Sequence, residues 1–272
     1  MSIFDKFLRI RELGIFSIII IVVIAASIID SRFLTIDSWR AVFLAIPLIL
    51  VMAMGQMMVI ICRHVDISIG SILAFAAITI GFVFIHYPNT SLFMALLITA
   101  SVGTIMGLVN GIIVTRFNVH SIIVTLGTLC LYRGLVFIVS GGRQIDRNDI
   151  PVHIISFSQT SFLFSIPAIF ILSVIIVLIT HLIMRHSVLG REIYATGSNP
   201  EAAHLKGINV TKVTLFCFGV CGMLAGVAGL FYASRFGYVN PGVTGVGIEF
   251  IVIAGVIIGG TSITGGSGSV LG

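Results

Sequence analysis

Charge is what this sequence has least of. Only 9% of its 272 residues are Asp, Glu, Lys or Arg, against roughly a quarter in soluble proteins, and that shortfall excludes a water-soluble globular fold. Catalytic patterns are missing as well: there is no HExxH, no zinc-ligand spacing and no nucleophile elbow. The stretch from Gly260 to Ser267 follows a phosphate-binding loop up to the position that demands lysine, which holds Gly266, and without that lysine the loop has nothing to reach a nucleotide's phosphates. The chain is therefore expected to be no enzyme, with no catalytic residue and no cofactor or metal of its own. Its Lys and Arg are scattered over the connections and form no stripe, so a net charge of +5 does not point to nucleic acid. No Pro/Ser-rich linker interrupts the chain, so residues 1–272 read as one domain. The four cysteines, Cys62, Cys130, Cys217 and Cys221, lie in or at the end of apolar runs. Cys217 and Cys221 share a helix face, but no His or carboxylate joins them, and they read as buried, reduced packing residues.

What is present is apolar sequence: 58% hydrophobic residues and a mean hydropathy of +1.19. Eight stretches are long enough, or nearly so, for the ~20 residues a bilayer crossing needs: 14–30, 42–62, 70–86, 92–114, 121–139, 162–184, 213–233 and a short one at 247–260. The fold class is thus all-α, a polytopic membrane bundle of about eight transmembrane helices. Residues 1–30 have the look of a signal peptide, yet in a chain with seven further spans an uncleaved first helix is the better reading. Lys6, Arg9, Arg11, Arg63, Arg116, Arg185, Arg191, Lys206 and Lys212 fall on one side, and Arg32, Arg40, Arg143, Arg147 and Arg235 on the other. Nine against five places the N-terminus and the 185–212 loop in the cytoplasm.

Small residues recur at four-residue spacing: Gly103, Gly107 and Gly111; Gly222 and Gly226; Gly255 and Gly259. Such stripes let helices approach closely in lipid. At an offset of 198, Gly70-Ser71-Ile72-Leu73-Ala74 is matched by Gly268-Ser269-Val270-Leu271-Gly272. Either two Gly-Ser turns coincide or the chain contains the internal repeat common in transporters. On the second reading the sequence stops as its second copy begins a helix, which implies a chain incomplete at its C-terminus.

The polar stretch 185–212 contains a self-contained helix signal. Asn199 is the N-cap, Pro200 suits the first turn, Glu201 faces the positive end, Ala202 and Ala203 are helix formers, Lys206 nears the negative end, and Gly207 terminates. So short a helix cannot offset its nucleation cost, so it must dock onto something. In the segment Arg63–Ser71, Asp66, Ser68, Gly70 and Ser71 either line a polar path at the mouth of a helix or cap that helix, with Arg63 in the headgroup zone. Thr125 and Thr128 either line a path or make helix contacts. Arg133 and Glu249 are charges inside spans; the expectation is an ion pair across helices, structural in role. A proton relay would need further intramembrane carboxylates.

Four stretches carry a resemblance: Val65–Ser71, Ile123–Thr128 through Arg133-Gly134, Ala195–Ala203, and Gly259–Ser262 through Gly265-Gly266. Together they resemble the permease subunits of bacterial sugar-type ABC importers, the group handling ribose, xylose, rhamnose and autoinducer-2, and they span most of the chain. The resemblance implies an ABC importer permease fold in the inner membrane, moving a monosaccharide or sugar-like solute. It makes Asn199, Pro200, Glu201, Ala202, Ala203 and Gly207 the helix that couples to a cytoplasmic ATPase subunit or fused double ATPase, where ATP and Mg would be used. It also implies a second permease copy or paralogue, a periplasmic or lipid-anchored solute-binding protein, and surrounding membrane lipids. One departure is Val119-His120-Ser121, where the family commonly has prolines before the fifth span, which leaves the local bend open. An ion-coupled carrier or channel is the alternative; it would explain spans and repeat but not a self-capped cytoplasmic helix.

Overall fold

A computed structural model describes residues 11–161 and 166–272. The charges Lys6 and Arg9, and the first four positions of the stretch at 162–184, lie outside the described residues. Within them are eleven α-helices in the order α1 (Arg11–Ile29), α2 (Ile36–Ile61), α3 (Ile69–His86), α4 (Leu92–Phe117), α5 (Ser121–Ser140), α6 (Val152–Gln159), α7 (Ala168–His186), α8 (Val188–Ser198), α9 (Pro200–Leu205), α10 (Val210–Phe236) and α11 (Ile248–Ile258). β-Structure among the described residues is confined to two isolated bridges, Ile145 with Val239 and Ser161 with Pro167.

Among the described residues, six helices are long and apolar enough to cross a membrane: α2, α3, α4, α5, α7 and α10. The last of the eight apolar stretches falls short. Helix α1 has 19 residues, whereas α11 has 11, about 16 Å at 1.5 Å per residue against a hydrocarbon core of ~30 Å. Two turns at Gly245 and Gly247, with φ of 76° and 78°, stop helix from forming ahead of α11.

α10 is the central post, packed against α4, α2 and α3. Glycines allow each approach. A Cβ on Gly222 would strike the Gly103 carbonyl, one on Gly226 the Thr99 carbonyl, and one on Gly107 the Phe218 carbonyl, so α4 and α10 meet backbone to backbone. Gly55 of α2 sits with its missing Cβ 2.7 Å from the Cys221 Cα, and Gly229 with its own 2.6 Å from the Leu73 carbonyl oxygen on α3. The third stripe behaves differently: Gly255 has open space where a Cβ would be, so that spacing marks no helix contact.

Local signals set the ends. Thr35 and Ser91 cap α2 and α4, accepting hydrogen bonds from the N–H groups of Ser38 and Met94, and Asn118 closes α4 in the left-handed region. At the start of α5, His120 takes φ −59°, close to the value a proline ring imposes; the bend is made without the proline. Residues 268–272 form turns and no helix, unlike residues 70–74, with which the sequence pairs them. Residues 266–268 lie instead against the end of α2, where the Gly266 N–H donates to the Ile61 carbonyl at 2.9 Å and Gly268 adjoins the Ile61 side chain.

Candidate functional site

The short helix forms as its residues dictate. Asn199 Oδ1 accepts hydrogen bonds from the N–H groups of Glu201 and Ala202, both at 3.1 Å. At the other end the Ile208 N–H reaches back to the Ala203 carbonyl at 3.1 Å and the Gly207 N–H to that of His204 at 2.9 Å. With Gly207 at φ 84°, this is a Schellman closure. The helix is six residues long, Pro200–Leu205, with Lys206 at its C-cap. Ala203 alone of these is buried, and it plugs the helix onto the body of the protein. Glu201, Ala202, His204 and Lys206 face outward, and Leu205 is 90% exposed.

What anchors this helix is Arg63, which the sequence suggested only as a headgroup residue. Its Nε donates to the Gly197 carbonyl and its Nη2 to the Ser198 carbonyl, both at 2.6 Å, so a guanidinium closes the negative end of α8 immediately before Asn199. Arg63 itself sits at φ 67°, a conformation costly to a long side chain and one that the paired hydrogen bonds help to hold. Gly197 is pressed against the Ile61 carbonyl, and the missing Cβ of Gly265 would fall on the Arg63 side chain. Three segments far apart in sequence thus meet at one joint.

From that joint, residues 62–68 lead into the bundle interior. Asp66 is fully buried, and Oδ1 accepts from the Ser68 N–H at 2.9 Å and its hydroxyl at 2.7 Å. Asn110 on α4 donates through Nδ2 to Asp66 Oδ2 at 3.2 Å and to Ser68 Oγ at 2.8 Å. Tyr132 on α5 lies 3.1 Å from Asn110 Oδ1 and donates to the Met106 carbonyl at 2.9 Å. With its amide oriented to satisfy both groups, Gln56 brackets the Asp66 backbone, donating to its carbonyl and accepting from its N–H at 3.2 Å each. Asn110, Tyr132 and Gln56 were not singled out from the sequence. Their signal was a polar group inside an otherwise apolar run.

The residues proposed to line a path are brought together but turned inward. Ser71 Oγ donates to the Leu129 carbonyl at 3.0 Å, and Thr125 Oγ1 to those of Ser121 at 2.9 Å and Val65 at 3.3 Å. Thr128 Oγ1 reaches Thr125 O at 3.4 Å, and Gly70 lets the 245 turn and the Glu249 carboxylate press against α3. Ser71 and Thr125 thus tie the start of α3 and the connection before it to α5, while Asp66 and Ser68 tie that connection to Asn110 on α4. Arg133 and Glu249 do not form the expected ion pair. Arg133 Nη1 donates instead to the Thr244 carbonyl at 2.6 Å, leaving Glu249 a neighbour that acts on it only through space. The ion pairs among the described residues are the exposed Arg32–Asp30 and the half-buried Arg143–Asp149.

His64 adjoins the joint, its ring 5.8 Å from that of Phe218. Burial, together with the field of His120, pushes it down to about 4 from the usual 6.5, so it is neutral at physiological pH. Of the cysteines, Cys62 and Cys217 lie with their sulfurs 3.4 Å apart, buried together with Cys221, and all four are free thiols.

Residues 39–272 match the family model described as branched-chain amino acid transport system / permease component. Over 245 residues the chain is 34% identical to the autoinducer 2 import system permease protein of Yersinia pseudotuberculosis, an alignment covering 90% of this chain and 68% of that one. The protein of the same description from Yersinia enterocolitica is also 34% identical, with 90% of this chain and 66% of the relative covered. No solved structure matches the chain.

Proposed function

The chain belongs to the family of branched-chain amino acid transport system permease components, and on that premise we propose that it is the membrane-spanning subunit of an ABC importer carrying a sugar-like solute of the autoinducer 2 kind into the bacterial cell. The relatives named as autoinducer 2 import permeases support the solute class. The N-terminus and the α8–α9 segment face the cytoplasm, and the membrane is the inner one. Partners are an ATPase subunit or fused double ATPase, where ATP is hydrolysed, a second permease copy or paralogue, and a solute-binding protein outside.

One observation carries the coupling role: a self-capped helix exposing Glu201 and Leu205 is wired through Arg63 to the connection that enters the buried Asp66 cluster. ATP-driven closure of the ATPase pair would push on α9, and the Arg63 anchor would deliver that push to the start of α3. There the hydroxyls of Ser71, Thr125 and Thr128 exchange partners as the path opens. Neutral, hydroxyl-rich solutes need weak polar contacts of that kind, not a strong ion site.

The test is co-purification and uptake. With the ATPase co-expressed, Glu201→Lys and Leu205→Asp should leave the permease folded but reduce co-purified ATPase at least tenfold, and uptake with it. Uptake of the solute by proteoliposomes lacking any ATPase would instead establish an ion-coupled carrier and overturn the proposal.

A further inference from the structure

The inner end of α7 and the second turn of α8 form a cavity that the coupling role does not use. Its volume is about 420 Å³, and His181, Met184, Arg185, Arg191, Tyr194 and Leu271 are among the residues lining it. The approach that creates it is enforced locally. Ser187 turns the chain sharply, its hydroxyl accepting from the Gly190 N–H at 2.9 Å, and a Cβ on Gly190 would collide with the carbonyls of Met184 and Ile183. Only glycine lets α8 fold back so closely, and that fold-back sets Arg185 and Arg191 around one hollow. Tyr194 is held as a wall by its bond to the Gly268 carbonyl at 2.9 Å.

Charge defines what the hollow suits. Both guanidiniums are permanently cationic, and neither has a carboxylate partner among the described residues. No Asp or Glu lines the cavity. Two unneutralised arginines around one small-ligand-sized hollow form a site for a doubly hydrogen-bonding anion such as a phosphodiester. Its location selects the source. Arg185 is in the last turn of a membrane-spanning helix, and Leu178 and Leu182 are exposed on the same helix just toward the bilayer. A ligand here has its anion in the basic hollow and apolar surface leading away along α7.

We propose that this cavity binds the headgroup of an anionic phospholipid from the adjoining leaflet, with Arg185 and Arg191 on the phosphate and the acyl chains along Leu178 and Leu182. Basic hollows between spans at the cytoplasmic surface recognise lipid headgroups by this chemistry.

The purified full chain in detergent, titrated with phosphatidylglycerol or phosphatidylcholine and read by native mass spectrometry, tests the assignment. Wild type is expected to retain phosphatidylglycerol over phosphatidylcholine, and Arg185→Gln with Arg191→Gln to weaken that retention by roughly tenfold or more. Arg116→Gln, which removes an exposed arginine from the inner end of α4 outside the cavity, should leave it unchanged. The double Arg→Lys variant, which keeps the charge, should keep most of the binding and guards against misfolding. Equal loss with Arg116→Gln, equal retention of phosphatidylcholine, or displacement of the lipid by millimolar inorganic phosphate would each overturn it. The last would mark a site for free phosphate. Lipid retention is read without the ATPase, so it stands or falls separately from the importer reading.

Discussion

Arg63 joins the connection after α2 to the end of α8, 134 and 135 positions away. A single guanidinium satisfies two terminal carbonyls that would otherwise lack partners, at a charge-assisted worth of about 1.5–3 kcal/mol per hydrogen bond. Its neighbour His64 supplies a pH test. Unfolded, the imidazole titrates at its ordinary 6.5; folded, burial and His120 hold it near 4. Between those values the unfolded chain binds a proton that the folded chain refuses, so stability rises with pH there. His64 contributes no penalty above about pH 6.5 and a growing one as pH falls toward 4, with a slope of up to about 1.4 kcal/mol per pH unit. Thermal unfolding of the detergent-solubilised protein should therefore move to lower temperature on acidification through this window. His64→Gln should flatten that dependence, and an unchanged acid slope in the variant would assign the effect to other groups. Residue identity made Asp66 and Ser68 legible as a polar pair at a helix start. Asn110, which bridges them from another helix, was not legible, because one amide in an apolar run carries no address.

At the scale of elements, α9 was readable almost completely: capping chemistry is local, and Asn199, Pro200 and Gly207 act within a few residues of themselves. The α4 and α10 glycines were readable as stripes but not as partners. Their pairing emerges only where Gly103, Gly107, Gly222 and Gly226 interlock. Because the contact is backbone on backbone, no rotamer change can absorb a larger side chain. Gly222→Val is expected to abolish assembly of the bundle, seen as loss of a monodisperse peak in detergent. Gly127→Ala, at a position with open space around the missing Cβ, should cost no more than a few tenths of a kcal/mol, and as a helix-interior Gly→Ala change it should favour the helix. Equal tolerance of both changes would refute the interlock. The Gly255 and Gly259 spacing shows the converse: an identical signal with no helix opposite it. The Arg133–Glu249 pairing failed for a related reason. Two intramembrane charges of opposite sign invite pairing, yet the Thr244 carbonyl, presented by a turn that sequence does not place, is within closer reach.

For the molecule as a whole, orientation rests on the distribution of Lys and Arg, and it can be measured. After Cys130, the exposed native thiol, is changed to serine, cysteines are introduced at the exposed positions Asn148 and Lys206. A membrane-impermeant maleimide applied to intact cells should modify Asn148→Cys at once and Lys206→Cys only after permeabilisation. The opposite pattern would invert the topology and remove α9 from the cytoplasm. Sequence alone determined that this is a helical membrane protein, where its long spans run, that α9 caps itself, and that no ATP-binding lysine is present, because hydropathy, capping and motif chemistry are properties of neighbouring residues. Tertiary structure decided that the last apolar stretch forms a helix of only 11 residues, that α10 is the post, and that Arg63 links the short helix to the Asp66 cluster. It also decided that the arginines at the α7–α8 fold share one hollow. Each of those depends on which distant backbone comes within hydrogen-bond or van der Waals range, and only the packed bundle sets that.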